Sequence, residues 1–539
     1  MKKICWISLL LILLSLQFNC APPPPLEEKP LPVPIESPLV RIGLAENLTS
    51  LEFTSNGKIE IYDQDQLIAN ILGWDQKWVV DIRNTQPATI VYRLRYLETL
   101  DGRDALEKYQ SLKSQGLPVV LERIKKRIFH DAALQTRTFY WILHQSEFEN
   151  QDEVYRHQWQ RNDKSKGVAQ PLIKTPPQGE LIITNRESGD QYRASRIMTI
   201  RGEQFSLTLP AGEGYHFEQQ LTRRYHDQLN LVIDRFGKLT VVNIIPIETY
   251  LIGVVGSEMQ EKFPLEALKA QAVAARCYTI AQIGKQHQLS PFDLCDEVHC
   301  HVYGGIDRES PRVSQAVAQT HGRVLIHNNK ICDTFYAGVC GGHSENNENV
   351  WPGEPQIYLQ GRPDANIKKF PADFFKDESN VRRWIESSPN VFCNTQQGDV
   401  PDYLNYTVKY FRWSQRYSQH EISQIIRRKT GENIGRLLEI VPVERGVSGR
   451  LKKIEFIGDK KKIIIEGELN IRKSLSDNYL YSSCFVIDRE GSEFIIKGAG
   501  WGHGVGMCQT GAAMRALEGH SYQKILKHYY QHAELVKLY

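Results

Sequence analysis

Apolar and polar residues alternate with a period of two in several separated stretches of this chain, the pattern of strands with one buried face. Between Leu39 and Tyr62 it is carried by Val40-Arg-Ile-Gly-Leu44 and Lys58-Ile-Glu-Ile-Tyr62, set between turn residues, which predicts a β segment over residues 39–75. The next region changes period. Trp78 to Ile82 reads as a strand, Ala105 to Ser114 as a helix closed near Gly116, and Pro118 to Leu121 as a strand, with a second round over Thr138–Leu143 and Glu153–Gln160. A small α+β domain is therefore expected over residues 76–165, inserted into a larger domain that runs over residues 179–539. Leu181-Ile-Ile-Thr184, Ile197-Met-Thr-Ile200 and Leu239-Thr-Val-Val242 continue the strands, and a late β-rich region includes Arg450–Phe456, Lys462–Ile465 and Phe494–Lys497. One helix stands out: Pro264 suits a first helical position, and Leu265, Leu268, Ala272 and Ala275 share a face among many alanines. The expected fold is α+β, a mixed β-rich scaffold around an alanine-rich helix, with no solenoid-type repeat.

The N-terminus adds a compartment. Lys2 and Lys3 precede an apolar run from Leu9 to Leu16, too short for a membrane span of about 20 residues, and Gln17-Phe18-Asn19-Cys20 follows. Residues 1–20 read as a lipoprotein signal, with Cys20 acylated. Residues 21–38 are proline-rich and read as an extended tether. Phe18 and Asn19 depart from the small residues usual before a lipidated cysteine, which leaves an ordinary cleaved signal as the alternative. Both readings export the chain, and membrane contact is expected through the lipid alone. A net charge of +3 over 539 residues argues against a nucleic-acid partner. Of the ten cysteines, eight remain beyond Cys5 and Cys20, in a compartment where disulfides persist; Cys340 with Cys393 is the expected pair.

Three motifs carry candidate chemistry. The first is Val254-Val-Gly-Ser-Glu258, an acid ahead of the alanine-rich helix, on which Lys269 and Arg276 lie seven residues apart and about 10 Å along the axis. The second is Cys295, His299, Cys300 and His301 within seven residues, thiolate and imidazole donors suited to tetrahedral zinc. A fourth ligand is open between His287 and His301, and a Cys295–Cys300 disulfide is the rival. The third is Gly498-Ala-Gly-Trp-Gly-His-Gly-Val-Gly-Met507, whose glycines permit close backbone approach and leave Trp501 and His503 as the side chains with work to do. No lysine and serine follow it as in a phosphate loop.

Together these stretches resemble the stage II sporulation protein D (SpoIID) family, grouped with the amidase enhancer LytB, over about Leu239 to Tyr539. The resemblance implies a peptidoglycan lytic transglycosylase with Glu258 as catalyst, which protonates the glycosidic oxygen and then takes a proton from the C6 hydroxyl of muramic acid. Met259 and Phe263 would supply apolar surroundings that keep it protonated. Lys269 and Arg276 match family cations and are expected either to read the lactyl carboxylates of peptide-stripped strands or orient Glu258, or else to form internal ion pairs. Tyr303 is expected to line the cleft, Trp501 to stack on a sugar, and His503 to bond a hydroxyl or Glu258. Family members with zinc match at Cys295, His299 and Cys300, with His287 as the first choice of fourth ligand. The chain departs from the family at Gln260, Cys277 and Ser344. The strand and helix rounds over residues 76–165 look like the sporulation-related repeat (SPOR) that binds stripped glycan. A cell-wall amidase is the implied partner. The rival functions are a non-catalytic glycan-binding enhancer of such an amidase and a zinc hydrolase.

Overall fold

The computed structural model describes residues 37–130, 133–160, 167–211, 219–366, 370–371, 373–397 and 400–539. The signal, Cys20 and nearly all of the tether lie outside the described residues. The architecture is α+β. Strands β1 (Leu39–Leu48), β2 (Ser50–Asp63) and β3 (Gln66–Gln86) enter a nine-stranded sheet. The alternation is literal in β2, where Leu51, Phe53, Ile59 and Ile61 are buried.

Between β3 and the return to that sheet stands a separate unit: β4 (Thr89–Thr99), α1 (Gly102–Ser114), β5 (Val119–His130), β6 (Ala133–His144), α2 (Gln151–Gln160) and β7 (Val168–Thr175). Its four strands form a sheet in the order β5-β6-β4-β7 over a core of their own that includes Leu94, Leu112, Ile142 and Val154. Asp101 caps α1 by accepting the amides of Arg103 and Asp104. The expected boundary at residue 76 moves to residue 89. Trp78 and Val80 belong to β3, a strand of 21 residues paired with β2 and β8, and both are buried in the larger core.

The chain then rejoins the large sheet through β8 (Gln178–Asn185), β9 (Gln191–Ala194), β10 (Ile197–Ala211), β11 (Gln219–Ile233) and β12 (Leu239–Pro246). Two helices follow: α3 (Ile247–Glu258) and the alanine-rich α4 (Leu265–Gln282). Pro264 is the N-cap of α4, one position before the first helical residue. Every residue of α4 from Ala270 to Gln282 is buried, because alanine lets neighbours approach from all sides. The strand β13 (Leu294–Cys295) joins the sheet edge parallel to β1, giving the order β13-β1-β12-β11-β10-β2-β3-β8-β9.

Around α4 lie α5 (Pro311–Gln319), β14 (Arg323–His327), β15 (Lys330–Ile331) and β16 (Tyr336–Ala337), then a loop-rich stretch with α6 (Glu378–Glu386) and α7 (Val408–Phe411). A further unit follows: β17 (Arg412–Ser418), α8 (Gln419–Thr430), β18 (Leu437–Arg445), β19 (Leu451–Gly458), β20 (Lys462–Glu466), α9 (Glu468–Ser474), β21 (Phe485–Glu490) and β22 (Glu493–Ala499). It holds a second compact core of Ile422, Leu437, Phe456, Phe485 and neighbours. The chain closes with β23 (Met507–Cys508), α10 (Gln509–Leu517), α11 (Tyr522–Tyr529) and β24 (Glu534–Lys537), which pairs with β14.

A buried ion pair locks α3 to α4. Arg276 is completely buried and donates from Nε and one terminal nitrogen to the two oxygens of Glu248, at 2.7 and 2.6 Å, and from the other to the Arg323 carbonyl. Glu248 also accepts from the Tyr539 hydroxyl at 2.6 Å and the Gly322 amide. Burial raises the Glu248 pKa, but Arg276 and Tyr539 overcome it and hold the carboxyl below its ordinary range. Replacing Arg276 with Met strands that carboxylate, and is expected to cost about 3–5 kcal/mol of unfolding free energy in urea. Adding Glu248→Leu should recover much of the loss; an Arg276→Met protein as stable as the parent would contradict the lock.

Candidate active site and metal-type cluster

Glu258 is the last residue of α3, with Met259 as its C-cap. The unpaired carbonyls of a helix C-terminus carry partial negative charge and disfavour a second anion there. Burial acts in the same direction and is the largest cause: it lifts the Glu258 pKa to about 7, against lowering bonds from the Gln509 side chain and the Val302 backbone. The Gln509 amide lies 3.3 Å from Oε2 of Glu258 and 3.4 Å from Oε1 of Gln271, a buried residue of α4. Met259 and Phe263 are both buried in the main core. Tyr336 completes the surroundings; burial and then the charge of Glu258 raise its pKa, and its hydroxyl is buried without a hydrogen-bond partner.

The cysteine and histidine motif does come together in space. Ligand atoms of His287, Cys295, His299 and Cys300 lie within 4.8 Å of one another. His287 Nε2 is 3.3 Å from Cys300 Sγ, and His299 Nδ1 stands 3.4 Å from Cys300 Sγ and 3.7 Å from Cys295 Sγ. His301 points elsewhere: its Nδ1 meets the Tyr250 hydroxyl and its ring packs on Tyr278. Both thiols are free. The cluster also bears on the acid, because Val302, two residues beyond Cys300, is the backbone donor to Glu258. The segment after it presses on α3, where a Cβ at Gly256 would stand 1.9 Å from the Arg308 carbonyl oxygen.

In the glycine-rich run every second residue takes a left-handed φ: 84° at Gly500, 97° at Gly502, 77° at Gly504 and 72° at Gly506. This turns Trp501 outward. It is 37 % exposed and stacks on Tyr410, ring centroids 4.3 Å apart at 22°, an open aromatic platform. Arg450, buried and unsuspected from sequence, donates to the carbonyls of Cys340 and Gly502 and so ties the second compact unit to this run.

For Arg276 and Lys269 the internal-pair alternative holds, and the expectations of a cleft-lining Tyr303 and of a His503–Glu258 bond need correction. Arg276 has no exposed surface to offer a ligand and its guanidinium is committed to Glu248. Lys269 is tied to Glu266 at 2.6 Å, whose other oxygen accepts the Tyr522 amide. Both cations are internal pairs. Tyr303 does not line a cleft; it is 1 % exposed, bonds Asn243 and packs on Tyr250. His503 is not free to bond Glu258, since its Nδ1 accepts the Val505 amide at 3.0 Å, its ring bonds the Tyr336 backbone, and burial drives its pKa to about 4.

Residues 235–327 match the family model described as stage II sporulation protein, and residues 345–506 match a domain of unknown function. An uncharacterized protein of Brachyspira hyodysenteriae is 31% identical over 299 residues, which covers 55% of this chain and 68% of that one. The stage II sporulation protein D of Bacillus amyloliquefaciens is 29% identical over 308 residues, 54% of this chain and 75% of its own length. An amidase enhancer of Bacillus subtilis is 27% identical over 307 residues, 52% of this chain but 39% of that longer protein.

The raised pKa has a measurable thermodynamic consequence. In the unfolded chain Glu258 titrates near 4.5 and in the fold near 7, so the native state gains from the bound proton below 4.5 and loses that gain as pH rises through 7. Relative to the parent, Glu258→Gln should therefore be more stable at pH 8 by about 1–3 kcal/mol and indistinguishable at pH 4. Equal stability at both pH values would contradict a half-buried, proton-holding carboxyl.

Proposed function

Because the chain belongs to the stage II sporulation protein D family, we propose that it is an exported peptidoglycan lytic transglycosylase with Glu258 as its single acid and base. The observation that carries this reading is the state of that carboxyl: raised to about 7, with two neutral donors, Gln509 and Val302, as the groups that bond it. A glycosidic oxygen leaves only if protonated as its bond breaks, and an acid with a pKa near the working pH does this best. Glycoside hydrolases commonly add a second carboxylate to activate water or trap the sugar. A lytic transglycosylase needs none. The C6 hydroxyl of muramic acid attacks C1 of the same residue, Glu258 gives its proton to the departing oxygen and receives the hydroxyl proton, and a 1,6-anhydro end forms. Trp501, stacked on Tyr410 and partly exposed, offers apolar aromatic surface to a pyranose. Lys269 and Arg276, internally paired, are given no part in binding.

Residues 1–20 are read as the lipoprotein signal and Cys20 as the anchor to the cell envelope. Among the described residues no helix is long and apolar enough to cross a membrane. The β4-α1-β5-β6-α2-β7 unit is read as a second, SPOR-like glycan-holding surface, and a cell-wall amidase as the enzyme that strips the strands. His287, Cys295, His299 and Cys300 form a closed N2S2 set suited to one structural zinc, leaving no open position for a zinc hydrolase. Bound there, the ion would supply only a cross-link near Val302.

Mass spectrometry of stripped glycan strands treated with the purified protein should find 1,6-anhydro ends with the parent, fewer by at least about a hundredfold with Glu258→Gln, and a parent rate that falls as pH rises through about 7. Uncut strands, together with faster peptide release when an amidase is added, would favour the enhancer reading, which the amidase enhancer relative keeps in view. Separately, Cys295→Ser is expected to remove one zinc per chain and lower the melting temperature. A Cys295–Cys300 disulfide in the protein isolated from the envelope would overturn the zinc assignment.

A further inference from the structure

A second group of soft donors lies apart from the first in sequence. Cys340, Asp364, Cys393 and Cys508 bring their ligand atoms within 4.8 Å of one another, and all four residues are buried, none more than 3 % exposed. Cys340 Sγ is 3.5 Å from Cys393 Sγ and 3.7 Å from Oδ2 of Asp364. The backbone holds the donors in place: Asp364 donates its amide to the Gly342 carbonyl, Phe392 donates to that of Asp364, and β23 pairs Cys508 with Ala337.

From this arrangement we infer that Cys340, Asp364, Cys393 and Cys508 form a second structural metal site, for zinc or an ion of the same soft, tetrahedral class. The surroundings are those of bound ligands. Cys508 Sγ accepts two backbone amides, from Cys340 at 3.2 Å and from Gly511 at 3.3 Å in the first turn of α10. Asp364 has Oδ1 held by the Tyr529 hydroxyl at 2.8 Å and by Arg515 at 3.2 Å, which turns Oδ2 to the thiols. The carboxylate sits so close to α10 that a Cβ on Gly511 would stand 2.2 Å from Oδ2. Arg515, and Arg412 on the Gly341 carbonyl beside Cys340, offset the anionic donors. The expected Cys340–Cys393 disulfide would engage two of these groups and leave the third thiol and the carboxylate buried beside it; an ion engages all four. Two sulfurs on one tetrahedral ion stand roughly 3.8 Å apart, given a metal–sulfur distance of about 2.3 Å. The ion would join three loops to the start of α10, whose first residue, Gln509, is the one that bonds Glu258.

The test reads metal and thiols, not activity. Protein isolated from the envelope without a histidine tag should hold two zinc per chain, and a Cys295→Ser/Cys300→Ser variant should keep one. Cobalt in that variant should give thiolate charge-transfer and intense tetrahedral d–d bands, which adding Cys393→Ser abolishes. If the triple variant does not fold, the cobalt spectrum of the double variant and the non-reduced peptide map of the parent still decide. A map that finds Cys340 joined to Cys393, or a double variant that retains no metal and gives no thiolate–cobalt bands, overturns the site.

Discussion

A half-buried carboxyl group, partly withdrawn from water at the end of a helix, is the constraint on which the rest of this molecule turns. Glu258 closes α3, where the helix carbonyls and the surrounding core both penalise its charge. Such a site exists only if α3 cannot shift toward solvent. The buried Glu248–Arg276 pair provides that fixity from the other end of the helix, with Tyr539 at the chain terminus closing over Glu248. An ion pair of this kind adds little net stability over an apolar replacement, but breaking it is costly, so its value here lies in fixing one arrangement of α3 against α4.

The surroundings of Glu258 are assembled from segments far apart in the chain. Val302 stands two residues beyond Cys300 of the His287, Cys295, His299 and Cys300 cluster, and Gln509 follows directly on Cys508. Each neutral donor to the acid thus stands beside a group of soft ligands. The glycine-rich run between them reaches its shape through left-handed φ angles that only glycine takes without strain, and Arg450 reaches in from the second compact unit to bond its Gly502 carbonyl. What emerges toward solvent is the Trp501 and Tyr410 platform.

Local features were legible in the sequence. The alternation in β2, the alanine-rich helix and the run of glycines are written in consecutive residues, and the four-donor cluster was legible because three of its members lie within six positions. What escaped is set by partners at a distance. Arg276 reads equally as a substrate-reading cation or an internal pair until Glu248, 28 residues earlier, is seen beneath it. Tyr303 reads as a cleft residue until Asn243 claims its hydroxyl, and His503 reads as a free imidazole until the backbone takes both nitrogens. The extent of β3 was missed because its 21 residues include polar stretches that hide the period of two. Cys340 and Cys508 are 168 residues apart, and no spacing rule joins them.

The Glu258 carboxyl holds its proton to neutral pH chiefly because its surroundings at the end of α3 withdraw it from water. Carbon-13 NMR of the protein labelled at glutamate carboxyls, with Glu258→Gln to assign the resonance, measures this directly. The account predicts a titration midpoint near 7; a midpoint at the ordinary 4.5 would contradict it.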